Sequence, residues 1–208
     1  MSVQRILPGS LKTDLYLDLA EMVSGLLLVG FLWTHMLFVG VILFGAQSYD
    51  SFAAFLDRYY LSYVGIPFIG LVALVHVFAV CRRIPNRYRE FWLHARLVKH
   101  PDTWVWIFQL ITAAGIAVLA SMHVTSILLG WPIEAVKSAD RMTSFWWFYL
   151  ILLILGEYHA GFGLYRIMVK WGWIDRHTVG WVTKMITLLI LILGLAAMLV
   201  FVRLGGVL

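Results

Sequence analysis

Five long apolar stretches dominate the pattern of hydrophobic and polar positions along the chain. They cover residues 21–44, 63–81, 104–129, 144–169 and 179–202. Each is close to the roughly 20 residues that an α-helix needs to cross a bilayer. The connections between them are short and contain prolines, aspartates and basic residues. The pattern predicts an all-α membrane protein with a single domain over residues 1–208, built as a bundle of five transmembrane helices.

Composition agrees with this fold class and limits the partners. The chain has 208 residues, of which 62% are hydrophobic and 13% charged, so a soluble domain is excluded. The net charge of +5 comes from cations in the connections, where they meet lipid headgroups. We therefore expect membrane lipid and no nucleic acid as partners. Because Cys81 is the single cysteine, an internal disulfide, a cysteine-ligated iron–sulfur cluster and covalent haem attachment are excluded.

Basic residues also predict the orientation of the bundle. The first twenty residues lack the apolar core of a secretory signal and are expected to form an amphipathic lead-in. Cations concentrate in the second and fourth connections, and the positive-inside rule places such connections in the cytoplasm. The amino terminus is then cytoplasmic and the carboxyl terminus periplasmic. The cations are Arg82, Arg83, Arg87, Arg89, Arg96 and Lys99 in the second connection, and Lys170 and Arg176 at the fourth.

Four histidines, His35, His76, His123 and His159, lie one in each of the first four predicted spans. A histidine in hydrocarbon is costly unless it is hydrogen-bonded or bound to metal. The helix rise places His35 and His123 in the outer half of the membrane, and His76 and His159 in the inner half. Two ligands of one iron must share a depth. The sequence therefore predicts two stacked b haems, held non-covalently by His35 with His123 and by His76 with His159, roughly 10–15 Å apart along the normal.

Two segments carry a family resemblance. They are Gly-Phe-Leu-Trp-Thr-His35-Met, and Glu157-Tyr-His159-Ala-Gly-Phe-Gly-Leu-Tyr-Arg followed by Val-Lys170-Trp-Gly-Trp. With them the chain resembles the dihaem cytochrome b membrane subunits of succinate:quinone oxidoreductases, and particularly of menaquinol-oxidising fumarate reductases. The resemblance implies a five-helix subunit in the bacterial inner membrane that binds menaquinone and two b haems with the same pairing. It also implies a flavoprotein and an iron–sulfur subunit as cytoplasmic partners, and a dimer of heterotrimers.

The resemblance further implies contacts to the haem propionates. Trp106, Arg141 and Lys170 match family positions with that role. Propionates near a membrane boundary favour neighbouring cations, which agrees with the two basic residues. The alternatives are an aromatic interface anchor for Trp106 and positive-inside charges for the two cations.

Two carboxylates match family positions in proton transfer. Asp57, after the first span, matches a glutamate that accepts protons from menaquinol, but its side chain is one methylene shorter. Its alternative role is a loop carboxylate paired with Arg58. Glu157 matches a glutamate that is proposed to carry protons across the membrane. Its alternative role is a protonated carboxyl hydrogen-bonded within the bundle.

The resulting hypothesis is the membrane-anchor subunit of a menaquinol:fumarate reductase or succinate dehydrogenase. Electrons would pass from menaquinol through both haems to the iron–sulfur subunit, or in reverse, and the dicarboxylate would react on a partner chain. The alternatives are a b-type subunit of a hydrogenase or formate dehydrogenase, a proton-coupled transporter and a purely structural anchor. The last two predict a protein without haem absorbance.

Overall fold

The computed structural model describes residues 11–81, 93, 96 and 101–207. In this part of the chain the secondary structure is helical throughout. A short 3-10 helix, Val41–Phe44, extends the first α-helix. The α-helices are α1 (Leu11–Gly40), α2 (Ala46–Arg58), α3 (Leu61–Cys81), α4 (Pro101–Leu129), α5 (Ala135–Ser144), α6 (Trp146–Lys170) and α7 (Arg176–Val207).

Five of the described helical segments are long and apolar enough to cross a membrane, as predicted. The expected lead-in and the first span form one continuous helix, α1, so this segment begins earlier than predicted. Of the basic second connection, the structure describes only Leu93 and Arg96. The other cations predicted to lie there are outside the described residues. The spans are Lys12–Phe44, Leu61–Cys81, Trp104–Leu129, Trp146–Lys170 and Arg176–Gly206.

Two short helices, α2 and α5, occupy the first and third connections, where the sequence predicted only turns and interface residues. Each buries small apolar side chains, including Ala53 of α2 and Ala139 of α5. The first turn of α5 has no side-chain cap from its own segment. Instead, Asp50 Oδ1 of α2 accepts the Ala135 N–H at 2.6 Å. This bond satisfies a donor that a helix start leaves open and joins the two connections at one end of the bundle.

Sharp turns bound α2 at both ends. Gly45, with φ of 105°, separates α2 from the 3-10 helix, and its N–H donates to the Ile42 carbonyl at 2.9 Å. Tyr60, with φ of 57°, lies between α2 and α3. Positive φ is costly for residues other than glycine, so Tyr60 adopts a conformation that the surrounding structure has to hold. These turns redirect the chain between the first two membrane helices.

Helices α1 and α6 form the centre of the bundle. Helix α1 packs against α3, α6 and α7, and α6 packs against α4 and α7. Most large apolar side chains on the spans are exposed, as expected for surfaces that face lipid. The tightest core lies where α7 meets the two short helices. Its buried residues are Ile42, Ala135, Ala139, Met142, Ala197 and Phe201.

Candidate cofactor site

The structure brings His35 of α1 next to His123 of α4. Their ring centroids are 6.1 Å apart, with an angle of 63° between the ring planes. A metal–imidazole bond is about 2.0–2.1 Å long, so two opposed imidazoles on one metal ion have ring centres roughly 6 Å apart. Phe31 stacks on His35 at 5.5 Å, and Tyr149 meets His123 edge-on at 5.7 Å. His123 Nδ1 is buried without a hydrogen-bond partner.

His76 of α3 and His159 of α6 form the second pair, and their rings interact electrostatically. Each ring has a hydroxyl partner on another helix. Ser24 Oγ of α1 lies 3.0 Å from His76 Nδ1, and Thr112 Oγ1 of α4 lies 3.0 Å from His159 Nδ1. Gln109 Nε2 also donates to the His159 carbonyl at 3.0 Å.

The two histidine pairs lie at different levels of the bundle. Ser24 marks the level of the second pair on α1 and lies eleven residues before His35. Thr112 marks the same level on α4 and lies eleven residues before His123. At about 1.5 Å per residue, both intervals correspond to roughly 16 Å along the helix. Two helices thus give the same separation, slightly larger than the spacing predicted from sequence.

The donor sets fit haem iron. Among the described residues, no group of three or more His, Cys, Asp or Glu side chains could hold a bare metal ion. Pairs of imidazoles are instead what a six-coordinate haem requires, because the porphyrin supplies the four remaining ligands. The 6.1 Å spacing of the first pair and its unpartnered buried Nδ1 agree with this chemistry. Both pairs could therefore hold a b-type haem without covalent attachment.

The propionate candidates lie in different surroundings. Arg141 of α5 interacts with His123, and its Nη2 donates to Ser138 Oγ at 3.2 Å. Lys170, at the end of α6, forms an ion pair with Asp18 of α1 at 2.8 Å. Trp106 is half-buried on α4. Of these contacts, that of Arg141 involves a histidine of the proposed set.

One cation near the second pair was not singled out from the sequence as a site residue. Arg166 of α6 interacts electrostatically with His159. Its position seven residues after His159 could have identified it, since this spacing is close to two helical turns and places both residues on one face.

Glu157 is completely buried on α6. Neither carboxylate oxygen has a hydrogen-bond partner. The Trp33 side chain of α1 interacts with this carboxyl, although the contact falls short of hydrogen-bond geometry. An ionisable group so placed in a membrane bundle is expensive and usually functional.

Asp57 of α2 borders a cavity of about 510 Å³ at the end of the bundle that carries both short helices. Its Oδ1 is buried and has no hydrogen-bond partner. The cavity has the size of a small-molecule pocket, for which roughly 300–1,000 Å³ is usual. It is lined by Asp50, Ala54, Asp57, Arg58, Pro132, Ile133 and Glu134.

A half-buried tyrosine of α2, Tyr49, faces α5 next to the cavity residue Asp50. The Tyr49 hydroxyl lies 3.5 Å from Ser138 Oγ. Burial raises the pKa of Tyr49, while the Ser138 hydrogen bond and the Arg141 charge lower it by less. The phenol therefore stays protonated at neutral pH and can act as a hydrogen-bond donor beside Arg141.

Fold and site together define a polytopic helical membrane protein with paired intramembrane histidines. The family of succinate dehydrogenase/fumarate reductase transmembrane subunits matches residues 85–200. The chain is 30% identical to the fumarate reductase cytochrome b subunit of Helicobacter pylori over 217 residues, covering 95% of this chain and 85% of that protein. It is 34% identical to the corresponding subunit of Wolinella succinogenes over 177 residues, covering 78% and 69%. The chain belongs to the succinate dehydrogenase/fumarate reductase transmembrane subunit family.

Proposed function

We propose that this chain is the dihaem cytochrome b subunit of a bacterial menaquinol:fumarate reductase or succinate dehydrogenase. The observation that carries the proposal is the approach of His35 and His123 to 6.1 Å between ring centres. A second pair, His76 and His159 on α3 and α6, supports it, and its hydroxyl partners Ser24 and Thr112 lie about 16 Å from the first pair along α1 and α4. The relatives named fumarate reductase cytochrome b subunit support the same complex. Family membership favours this function over a hydrogenase or formate dehydrogenase subunit and over a transporter.

The four histidines are the proposed axial ligands. His35 and His123 hold the outer haem, and His76 and His159 hold the inner haem. When bound, the two haems supply one-electron transfer between the quinone side and the cytoplasmic side. The proteins that complete the complex are a flavoprotein, where the dicarboxylate reacts, and an iron–sulfur subunit docked at the cytoplasmic face. The complex lies in the inner membrane as a dimer of heterotrimers.

The propionates are assigned to Arg141, Trp106 and Lys170. Arg141 is the best supported of the three because it interacts with His123. For Lys170, the 2.8 Å ion pair with Asp18 means that a propionate shares or displaces an existing anion. Charge-assisted bonds of this kind also orient the haem within its site.

Proton chemistry is assigned to two carboxylates. Asp57 accepts a proton from menaquinol bound in the 510 Å³ cavity, where its buried Oδ1 has a free acceptor position. Glu157 transfers protons across the membrane, and its complete burial on α6, two residues before His159, supports this role. The amino terminus is cytoplasmic and the cavity periplasmic in this arrangement.

A haem count on the purified complex tests the proposal. Pyridine haemochrome analysis with a dithionite-reduced minus oxidised spectrum is expected to give two b haems per chain. His123→Leu is expected to leave one haem, to abolish quinol-linked turnover and to spare turnover with an artificial donor. His177→Leu is the matched control, because His177 lies exposed at the start of α7 and outside both pairs. It should keep two haems. A folded, haem-supplied complex without haem would reject the proposal and favour the transporter.

A further inference from the structure

We propose that Ser24 and Thr112 are positioning residues that fix the imidazole tautomer of the His76/His159 pair and thereby tune the potential of the haem held there. The inference rests on the proposed function. It goes beyond ligand identity, because it assigns a role to two hydroxyls from helices that carry the other pair. The acceptor to which each hydroxyl donates its proton determines the tautomer of the neighbouring histidine.

The Ser24 hydroxyl donates its proton to a backbone carbonyl of its own helix. Ser24 Oγ lies 2.5 Å from the Ala20 carbonyl oxygen, four residues earlier, and 3.0 Å from His76 Nδ1. A serine hydroxyl carries one proton and two acceptor lone pairs. Since a carbonyl can only accept, the proton goes to Ala20. The hydroxyl then accepts from His76, so His76 Nδ1 carries a proton.

Thr112 repeats this arrangement on α4. Thr112 Oγ1 lies 2.9 Å from the Phe108 carbonyl oxygen, again four residues earlier, and 3.0 Å from His159 Nδ1. Donation to the carbonyl of residue i−4 is the usual bond of a threonine within a helix. His159 Nδ1 is therefore also protonated. Thr112 is completely buried, so no water competes for either bond.

The two hydroxyls thus support the same tautomer in both rings. With Nδ1 protonated in both rings, Nε2 keeps its lone pair and is the nitrogen that can bind iron.

The His35/His123 pair lacks this support. His123 Nδ1 has no hydrogen-bond partner. The nearby hydroxyls of Thr34 and Ser121 bond to carbonyls of their own helices, at 2.9 Å and 2.6 Å, and are not bonded to either ring. A hydrogen bond from Nδ1–H makes an imidazole a stronger electron donor, which favours ferric iron. Loss of that bond should therefore raise the midpoint potential of one haem and leave the other unchanged.

The experiment is a redox titration of the complete complex, followed through the haem absorbance. Ser24→Ala and Thr112→Val are each expected to raise the potential of one haem, by up to about the 59 mV that corresponds to a tenfold change in its oxidised-to-reduced ratio. Both changes should affect the same haem. Ser121→Ala and Thr34→Val are the matched controls, and both potentials should stay at wild-type values. Thr112→Ser keeps the hydroxyl and should restore the wild-type potential.

Three results would overturn the inference while two haems remain bound. They are unchanged potentials in both test variants, equal shifts of both haems, or a shift in Thr112→Ser as large as in Thr112→Val. The last would show that packing rather than the hydroxyl sets the potential. If Ser24→Ala does not assemble, the comparison of Thr112→Val with Thr112→Ser decides the question. A wild-type complex with fewer than two haems would instead reject the proposed function, so the two failures are distinguishable.

Discussion

Replacing Asp57 by asparagine tests the proposed quinol site most directly. The change keeps the size of the side chain and removes its ability to accept a proton. The cavity beside it, about 510 Å³, remains in place, and Oδ1 has no hydrogen-bond partner that the change would break. General-base catalysis contributes typically 10²–10⁴-fold to a rate. This corresponds to about 3–5 kcal/mol in activation free energy.

We therefore expect Asp57→Asn to lower kcat for menaquinol oxidation by about 10²–10⁴-fold. The assay is quinol-dependent fumarate reduction by the purified complex, with both haem spectra recorded in parallel. Electron entry from an artificial donor to the partner subunits should be unaffected. The haem content should stay at the wild-type value, because Asp57 lies on α2 and outside both histidine pairs.

Glu134→Gln is the matched control for this experiment. Glu134 lines the same cavity and undergoes the same change from carboxylate to amide. Its carboxylate, however, is 46% exposed and forms an ion pair with Lys137 at 3.3 Å. Such exposed pairs contribute about 0–1 kcal/mol, so activity should change little. Normal quinol kinetics in Asp57→Asn, or equal losses in both variants, would refute the assignment of Asp57 as proton acceptor.

Four further predictions concern the framework around the site, and each is checked by the thermal unfolding midpoint of the complex in detergent. Gly205→Ala should destabilise the folded protein, because a Cβ there would lie 2.8 Å from a carbonyl oxygen of α5. Such overpacking costs about 1–3 kcal/mol. Gly206→Ala has open space and should stabilise by up to about 1 kcal/mol. Asp50→Ala removes the acceptor at the start of α5 and should cost about 0.5–2 kcal/mol, whereas an unchanged midpoint would show that this bond is dispensable. Hydrogen bonds from Thr178 lower the pKa of Asp175. The stability that these bonds contribute is therefore present above pH 3.8 and is lost as the pH falls through the lowered pKa. The difference in unfolding midpoint between wild type and Asp175→Ala should shrink in acid.

Much of the candidate site could be predicted from the sequence, because both the spans and the depth of each residue in the membrane follow from position along the chain. Membrane helices are defined by continuous apolar length, and helix rise converts position into depth. Those two rules predicted five spans and matched His35 with His123 by depth. The structure then places these two rings 6.1 Å apart. The position of Glu157 within a membrane helix was equally predictable, because the surrounding segment is predominantly apolar.

Other features depended on the rotation and contact of helices, which no local pattern determines. Helix α5 gains its order from packing on α7 and from the bond between Asp50 and its first turn, and α2 gains its order from contacts with the 3-10 helix, α3 and α5, so both segments look like ordinary connections in the sequence. Ser24 and Thr112 were not predicted for the same reason. Serine and threonine in membrane helices usually bond to their own backbone, and only the packing of α1 on α3 and of α4 on α6 brings their hydroxyls to the histidine rings. The sequence thus determines the depth of each group, while the tertiary structure determines which groups meet, because hydrogen bonds between helices require a fixed rotation about each helix axis.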